Sequence, residues 1–295
     1  MYINFVKYRK IYYIFSGILI IASLVSLFVF GLKLGVDFTG GSIMQLEFQS
    51  QIPSNQIIEQ KLADLNLGEI VIQPTGERGV ILRLKHIDEP THEEILKKLE
   101  GANEQSFEAI GPTIGKELTR KTEIAIILAL FSIILYIAFA FGKLSHPAKS
   151  WQYSIAALIA LFHDILIPLG VFAVLGKFFN VEITISFIAA LLTVLGYSIN
   201  DTVVVYDRIR ENLLKRKFVT FEETIDQSLN QTLARSVSTV LTVLLTLFAI
   251  YFFGGETLKY FSLALIIGIT SGMYSSIFIA SPLMFSWVEW QEGAD

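Results

Sequence analysis

The sequence predicts a polytopic α-helical membrane protein, with six transmembrane helices and one extracytoplasmic ferredoxin-like α+β domain. Three observations carry that prediction. The chain of 295 residues is 53% hydrophobic and only 17% charged, whereas soluble domains are about 25% charged. Six apolar segments reach the length of about 20 residues that a bilayer crossing needs, at roughly 11–32, 124–142, 152–176, 183–205, 236–253 and 259–284. Between the first two lies one long polar stretch, 34–122, with its own strand and helix periodicity. The chain thus divides into an N-terminus and first span (1–33), the polar domain (34–122) and a five-helix region (123–295).

The first span follows Lys7, Arg9 and Lys10 and runs uncharged from 11 to 32. A secretory signal has an apolar core of about 7–15 residues and a small-residue cleavage site. This run is longer and ends in "FGLKLGVDF", so it reads as a retained helix. In the polar domain, "SIMQLEF" (42–48) alternates as a half-buried strand does. "PSNQIIEQKLADLNL" (53–67) has helical spacing behind its proline. "EIVIQP" (69–74) and "GVILRLKHI" (79–87) are strands about the turn "TGERG", "PTHEEILKKLEG" (90–101) is a second helix, and "QSFEAIG" (105–111) is a last strand. Strand–helix–strand–strand–helix–strand is the ferredoxin-like order. The remaining segments are apolar without alternation, which favours a helical bundle over a transmembrane barrel.

Lys and Arg in the short loops set the orientation. Lys7, Arg9, Lys10, Lys143, Lys149, Arg208, Arg210, Lys215, Arg216, Lys217 and Arg235 fall on one side, and only Lys177 and Lys259 on the other. Both termini are therefore expected in the cytoplasm, with 34–122 outside and the spans surrounded by membrane lipid. A net charge of −4 gives no sign of nucleic-acid binding, and the absence of cysteine excludes disulfides and thiolate metal sites. No G-x-x-x-x-G-K-[ST], H-E-x-x-H or G-x-S-x-G motif occurs. The expectation is a protein that is no enzyme and needs no cofactor or metal.

Three polar features fall at membrane depth: His163–Asp164 near the middle of the third span, Asn200–Asp201 in the fourth, and Arg235 at the cytoplasmic start of the fifth. Ionisable groups inside spans are costly and mark ion pathways, proton relays or internal pairs. Each also has a plainer reading. Arg235 can be a snorkelling cation, Asp201 a helix–helix hydrogen-bonding residue, and His163–Asp164 packing glue. The fourth span leaves the membrane where the fifth re-enters it, so Asp201 and Arg235 share a depth. A carboxylate beside a guanidinium stays ionised, and one left in apolar surroundings takes up a proton. Alternation between the two would couple proton movement to helix movement. Gly196, Ser198, Asn200, Thr202, Ser236, Ser238, Thr239, Thr242 and Thr246 give these two helices small, polar faces.

"GVDFTGGSIMQLEF" (35–48), "GPTIGKEL" (111–118) and "LGYSINDTVVVYDRIREN" (195–212) together resemble the SecD/SecF family, in its SecF half. The family-motif positions are Asp37, Gly40, Gly41, Gly111, Gly115 and Gly196. The resemblance covers the whole chain and implies membership of the resistance–nodulation–division superfamily. It also implies a complex with SecD, association with the SecYEG channel and YajC, and an indirect link to SecA. Such a protein would use the proton gradient, or in some relatives sodium, to draw unfolded exported polypeptide outward. It places the ion-coupling positions on Asn200, Asp201, Arg235, His163 and Asp164. Two rival readings are a small-molecule exporter of the same superfamily and a structural scaffold subunit.

Overall fold

A computed structural model describes residues 2–49, 51–140 and 148–292. Lys143, counted above on the cytoplasmic side, lies outside the described residues. In chain order the elements are α1 (Arg9–Phe30), α2 (Val36–Thr39), β1 (Gly41–Phe48), α3 (Asn55–Leu62), β2 (Val71–Thr75), β3 (Gly79–Leu84), α4 (Glu89–Lys98), β4 (Ala102–Ile110), α5 (Pro112–Ala140), α6 (Ser150–Phe179), α7 (Ile185–Leu214), α8 (Phe221–Phe253) and α9 (Glu256–Ser275), which continues through a π-helical segment (Ser276–Ala280) into α10 (Ser281–Glu292). Six helical stretches are long and apolar enough to cross a membrane: Arg9–Phe30, Pro112–Ala140, Trp151–Phe179, Ile185–Leu214, Phe221–Phe253 and Leu258–Gln291. The chain forms two compact units, a helical one (1–33 and 125–295) and a sheet unit (34–124).

In the helical unit α6 and the α9–α10 stretch are the most buried, α1 packs along α6, and α7 and α8 both pack on α9. Lipid is as apolar as leucine, so helix pairing in a membrane relies on close backbone approach at small residues. Three glycines supply that approach. A Cβ on Gly170 would lie 2.5 Å from Ser23 of α1, one on Gly268 2.4 Å from Val194 of α7, and one on Gly272 2.9 Å from Ser198. Gly170 therefore serves as a packing face for α1, and α6 continues as one helix through Pro168. The chain before α1 is anchored as well. Phe5 and Val6 are buried, Val6 N–H donates to Asp226 Oδ1 (2.9 Å), and Asn230 both accepts from Ile3 N–H (3.0 Å) and donates to its carbonyl (2.8 Å).

In the sheet unit the four strands lie in the order β2-β3-β1-β4, all antiparallel, with β1 in the middle. This is the ferredoxin-like arrangement. Alternation places Met44, Leu46, Phe48, Val80, Leu82 and Leu84 on one face, covered by Ile58 and Leu62 of α3 and Ile95 and Leu99 of α4. Asp88 caps α4 by accepting from Thr91 N–H (3.2 Å), as a first-turn donor requires.

Helix ends differ from those expected on hydrophobicity alone. The second span's helix starts at Pro112, not near 124, and the fifth span's helix starts at Phe221, not near 236. The polar turns ahead of each apolar run hold good helix formers, and Pro at the start of α5 and the Thr220 cap of α8 set the true beginnings.

Two of the glycine motifs meet. Gly40 adopts φ 74° and ψ 154°, a conformation essentially confined to glycine. A Cβ there would lie 3.0 Å from Pro112 Cα, and one on Gly115 would lie 3.1 Å from both Gly40 N and Phe38 O. The turn before β1 thus nests backbone-to-backbone against the start of α5. Gly40→Ala is expected to destabilise the protein by about 1–3 kcal/mol from backbone strain alone, and Gly115→Ala to lower its unfolding temperature too. Gly111→Ala, with open space around it, should leave the unfolding temperature of the detergent-solubilised chain unchanged.

Candidate functional site

Two of the helical unit's carboxylates, Asp164 and Asp201, have surroundings that differ in kind. His163 and Asp164 occupy the middle of α6, where they are 1% and 0% exposed. Asp164 Oδ2 accepts from Ser198 Oγ of α7 (2.6 Å) and Ser275 Oγ of α9 (2.7 Å). Oδ1 lies 2.9 Å from His163 Nδ1 and accepts from Ser271 Oγ (3.3 Å). One carboxylate therefore gathers donors from three helices. With Nδ1–H turned to Asp164, the imidazole leaves Nε2 buried and without a hydrogen-bond partner among the described residues.

Ser271 and Ser275 are one turn apart on α9 and share a face. Ser276, the first residue of the π-helical segment, shares a 2.8 Å hydrogen bond with Thr202 of α7. A π-helical turn offsets the face a helix presents and recurs at functional sites. Here it starts next to the two serines that serve Asp164 and Thr202.

Asp201, three residues beyond Ser198, points instead toward α8. Its Oδ1 accepts from Ser236 Oγ at 2.6 Å. Its Oδ2 is buried with no hydrogen-bond partner among the described residues. Arg235 precedes Ser236 and is exposed on α8, its guanidinium forming no hydrogen bond or ion pair among the described residues, although its charge acts on Asp201 through space. Arg235 also lines a cavity of about 440 Å³ with Asp207, Arg208, Arg210, Glu211 and Gln231. Within that lining, Arg208 pairs with Glu211 at 2.7 Å.

The residues singled out in the sequence therefore divide. His163 and Asp164 form a buried centre with Ser198, and Asp201 meets α8 through Ser236, next to Arg235. Asn200 and Gly196 lie on the exposed face of α7, and a Cβ on Gly196 would meet nothing within 4 Å. Asp37, Gly40, Gly41, Gly111 and Gly115 belong to the sheet unit. Ser271 and Ser275 were missed. Their i, i+4 spacing in the last span was the available signal, and only the approach of α9 to α6 gives it meaning. Chemically, Asp164 has every lone-pair direction engaged, while Asp201 has one oxygen free to take a proton or a new donor.

Comparison with known proteins follows the same outline. Residues 91–290 match the family described as protein export membrane protein SecD/SecF, C-terminal, and residues 25–52 match the SecD/SecF GG motif. A protein translocase subunit SecF from Thermobaculum terrenum is 46% identical, the alignment covering 97% of this chain and 94% of the relative. A protein translocase subunit SecDF from Brucella abortus is 34% identical over 96% of this chain, which spans only 37% of that longer protein. A crystal structure of SecDF from Thermus thermophilus, described as a translocon-associated membrane protein, superposes with a TM-score of 0.84 at 33% identity. That match covers 97% of this chain and 39% of the solved one.

Hydrogen bonds to a buried charged group are worth about 1.5–3 kcal/mol, so Ser275→Ala should cost that order of stability. Gly272→Ala should also destabilise, because its Cβ would displace Ser198 from Asp164. Gly196→Ala should be silent. Thermal unfolding of the three variants in detergent separates these outcomes.

Proposed function

Because the chain belongs to the SecD/SecF family of protein-export membrane proteins, we propose that it serves as a non-enzymatic subunit of the Sec export machinery. In this reading it works with a SecD partner and draws on the proton gradient across the bacterial cytoplasmic membrane. Its termini face the cytoplasm, its sheet unit faces outward, and it acts beside the SecYEG channel and YajC after SecA has pushed the polypeptide. The fused SecDF relative and the fused SecDF crystal structure support a SecD partner. So does the exposed stripe Arg235, Thr239, Thr242 and Thr246 on α8, since an arginine turned to lipid is costly unless other protein or water covers it.

The half-satisfied carboxylate of Asp201 carries the proposal. A group that is to load and unload a proton cannot be saturated by fixed donors. Among the described residues Asp201 has one donor, Ser236, and a buried oxygen without a partner, and the Arg235 cation lies one residue from that donor. Arg235 moving onto Oδ2 favours the carboxylate, and its withdrawal favours the acid. The saturated surroundings of Asp164 support a scaffold role for the His163–Asp164 pair, which holds α6, α7 and α9 while α8 moves.

The test is polypeptide export into vesicles containing the purified partners, with and without an imposed proton gradient. Asp201→Asn keeps the hydrogen bond from Ser236 but cannot cycle a proton. It should assemble normally and reduce export to the gradient-free level. Arg235→Lys keeps the charge without the planar fork and should retain part of the gradient response. Undiminished stimulation by the Asp201→Asn protein at parental abundance would remove the carboxylate from the mechanism.

A further inference from the structure

The sheet unit contains a histidine whose surroundings the export reading does not use. His92, on the first half of α4, is 7% exposed. Its Nε2 lies 2.7 Å from Glu104 Oε2 on β4, and its Nδ1 lies 3.1 Å from Glu89 Oε1 one turn earlier on α4. Its ring stacks on Phe107 of β4, with centroids 3.9 Å apart and planes within 6°.

A bulge in β4 builds this site. Side chains alternate along a strand, so residues 104 and 107 belong on opposite faces of a regular one. The register of β4 on β1 shifts between Gln45, opposite Ser106, and Leu46, opposite Glu104, which leaves Gln105 as the extra residue. Phe107 therefore pairs with Met44 and Glu104 with Leu46, both on the face that α3 and α4 cover. The bulge delivers a carboxylate and an aromatic ring together to the same side of the sheet as α4.

We propose that His92 is a proton-binding site, and that the bound proton clips α4 to the edge strand β4. A neutral imidazole has one N–H and one lone pair. Whichever nitrogen lacked the proton would turn its lone pair on a carboxylate that is an acceptor only. The imidazolium alone satisfies both contacts.

The charged groups acting on the ring agree with this geometry. Burial resists the charged form, but the hydrogen bonds to Glu104 and then Glu89 outweigh it and raise the pKa above the ordinary 6.5. Glu89 comes from the same helix and Glu104 from β4, while the Lys98–Asp64 ion pair (2.7 Å) secures the far end of α4. A pKa raised by folding means that the clip contributes its full stability below about 6.5 and loses it as pH rises through the folded value. In the orientation proposed above, the site samples the pH outside the membrane. The inference does not depend on that orientation or on export.

The test uses the full chain in detergent with ¹⁵N-labelled histidine, with long-range ¹H–¹⁵N spectra recorded from pH 5.5 to 9. Loss of one ring signal in His92→Gln assigns the resonance. Both nitrogens of His92 should be protonated at pH 6.5, with a midpoint above that value, and Glu104→Gln should move the midpoint down. Amide exchange across β4, corrected for intrinsic base catalysis, should accelerate as pH crosses the midpoint, and that step should shift with the midpoint in Glu104→Gln. A midpoint at or below 6.5, or one unmoved by Glu104→Gln, would overturn the proton site. A raised midpoint with no response in β4 would overturn the clip.

Discussion

The helical unit depends on the need to surround a buried carboxylate with donors. In hydrocarbon no water compensates an unpaired polar group, so Asp164 tolerates its position only while its oxygens are occupied. The donors come from α7 and α9 as well as from its own neighbour His163. That requirement fixes rotation as well as distance, since each serine must face inward at the right height. The glycines at 268 and 272 follow from it: without their close approach to α7, Ser198 and Ser275 would not reach one carboxylate oxygen from two helices.

Asp201 shows the opposite arrangement three residues along the same helix. Three residues turn a helix by about 300°, a net offset of only about 60°, and that offset is enough to take Asp201 from the Asp164 centre to the side where α8 packs. There, among the described residues, it meets a single hydroxyl. A fixed network and an unfinished one are thus carried on adjoining sectors of α7. The first holds α7 to the core helices, and the second leaves its contact with α8 open to a change of partner. Such a division suits a part that must stay assembled while one interface alternates.

Much of the fold was legible because length and period carry it. Six apolar runs correspond to six long helices, and the alternation of Met44, Leu46 and Phe48 marks the face that becomes the sheet core. Helix beginnings were less legible, because the polar turns before Ile124 and before Ser236 are good helix that hydropathy does not count. At the site, Asp201 and Arg235 were readable as costly residues at matching depth. The contact that joins the helices runs through Ser236, and a serine among Ser238, Thr239 and Thr242 carries no mark of its own. Ser271 and Ser275 carried only their i, i+4 spacing, which has no meaning until α9 is placed against α6. The bulge at Gln105 was also out of reach, since it exists only as a register between β1 and β4.

The glycine motifs show why separated signals can be one feature. "DFTGG" (37–41) and "GPTIG" (111–115) lie some 70 residues apart, yet within the sheet unit they form a single joint, Gly40 against Pro112 and Gly115 against Phe38 and Gly40. The chain enters the sheet at the first motif and leaves it into α5 at the second. Backbone packed on backbone has no flexible side chain to absorb a displacement, so a shift of one leg of the joint must move the other or strain Gly40. The β-sheet turns that constraint into reach: Gly41 pairs with Ile110 at the joint, and the two strands then run together as far as Phe48 and Ala102. Between those limits lies Glu104, where the strand turns a carboxylate toward α4. A displacement at the glycine joint and a proton at His92 therefore act on opposite ends of one strand, β4.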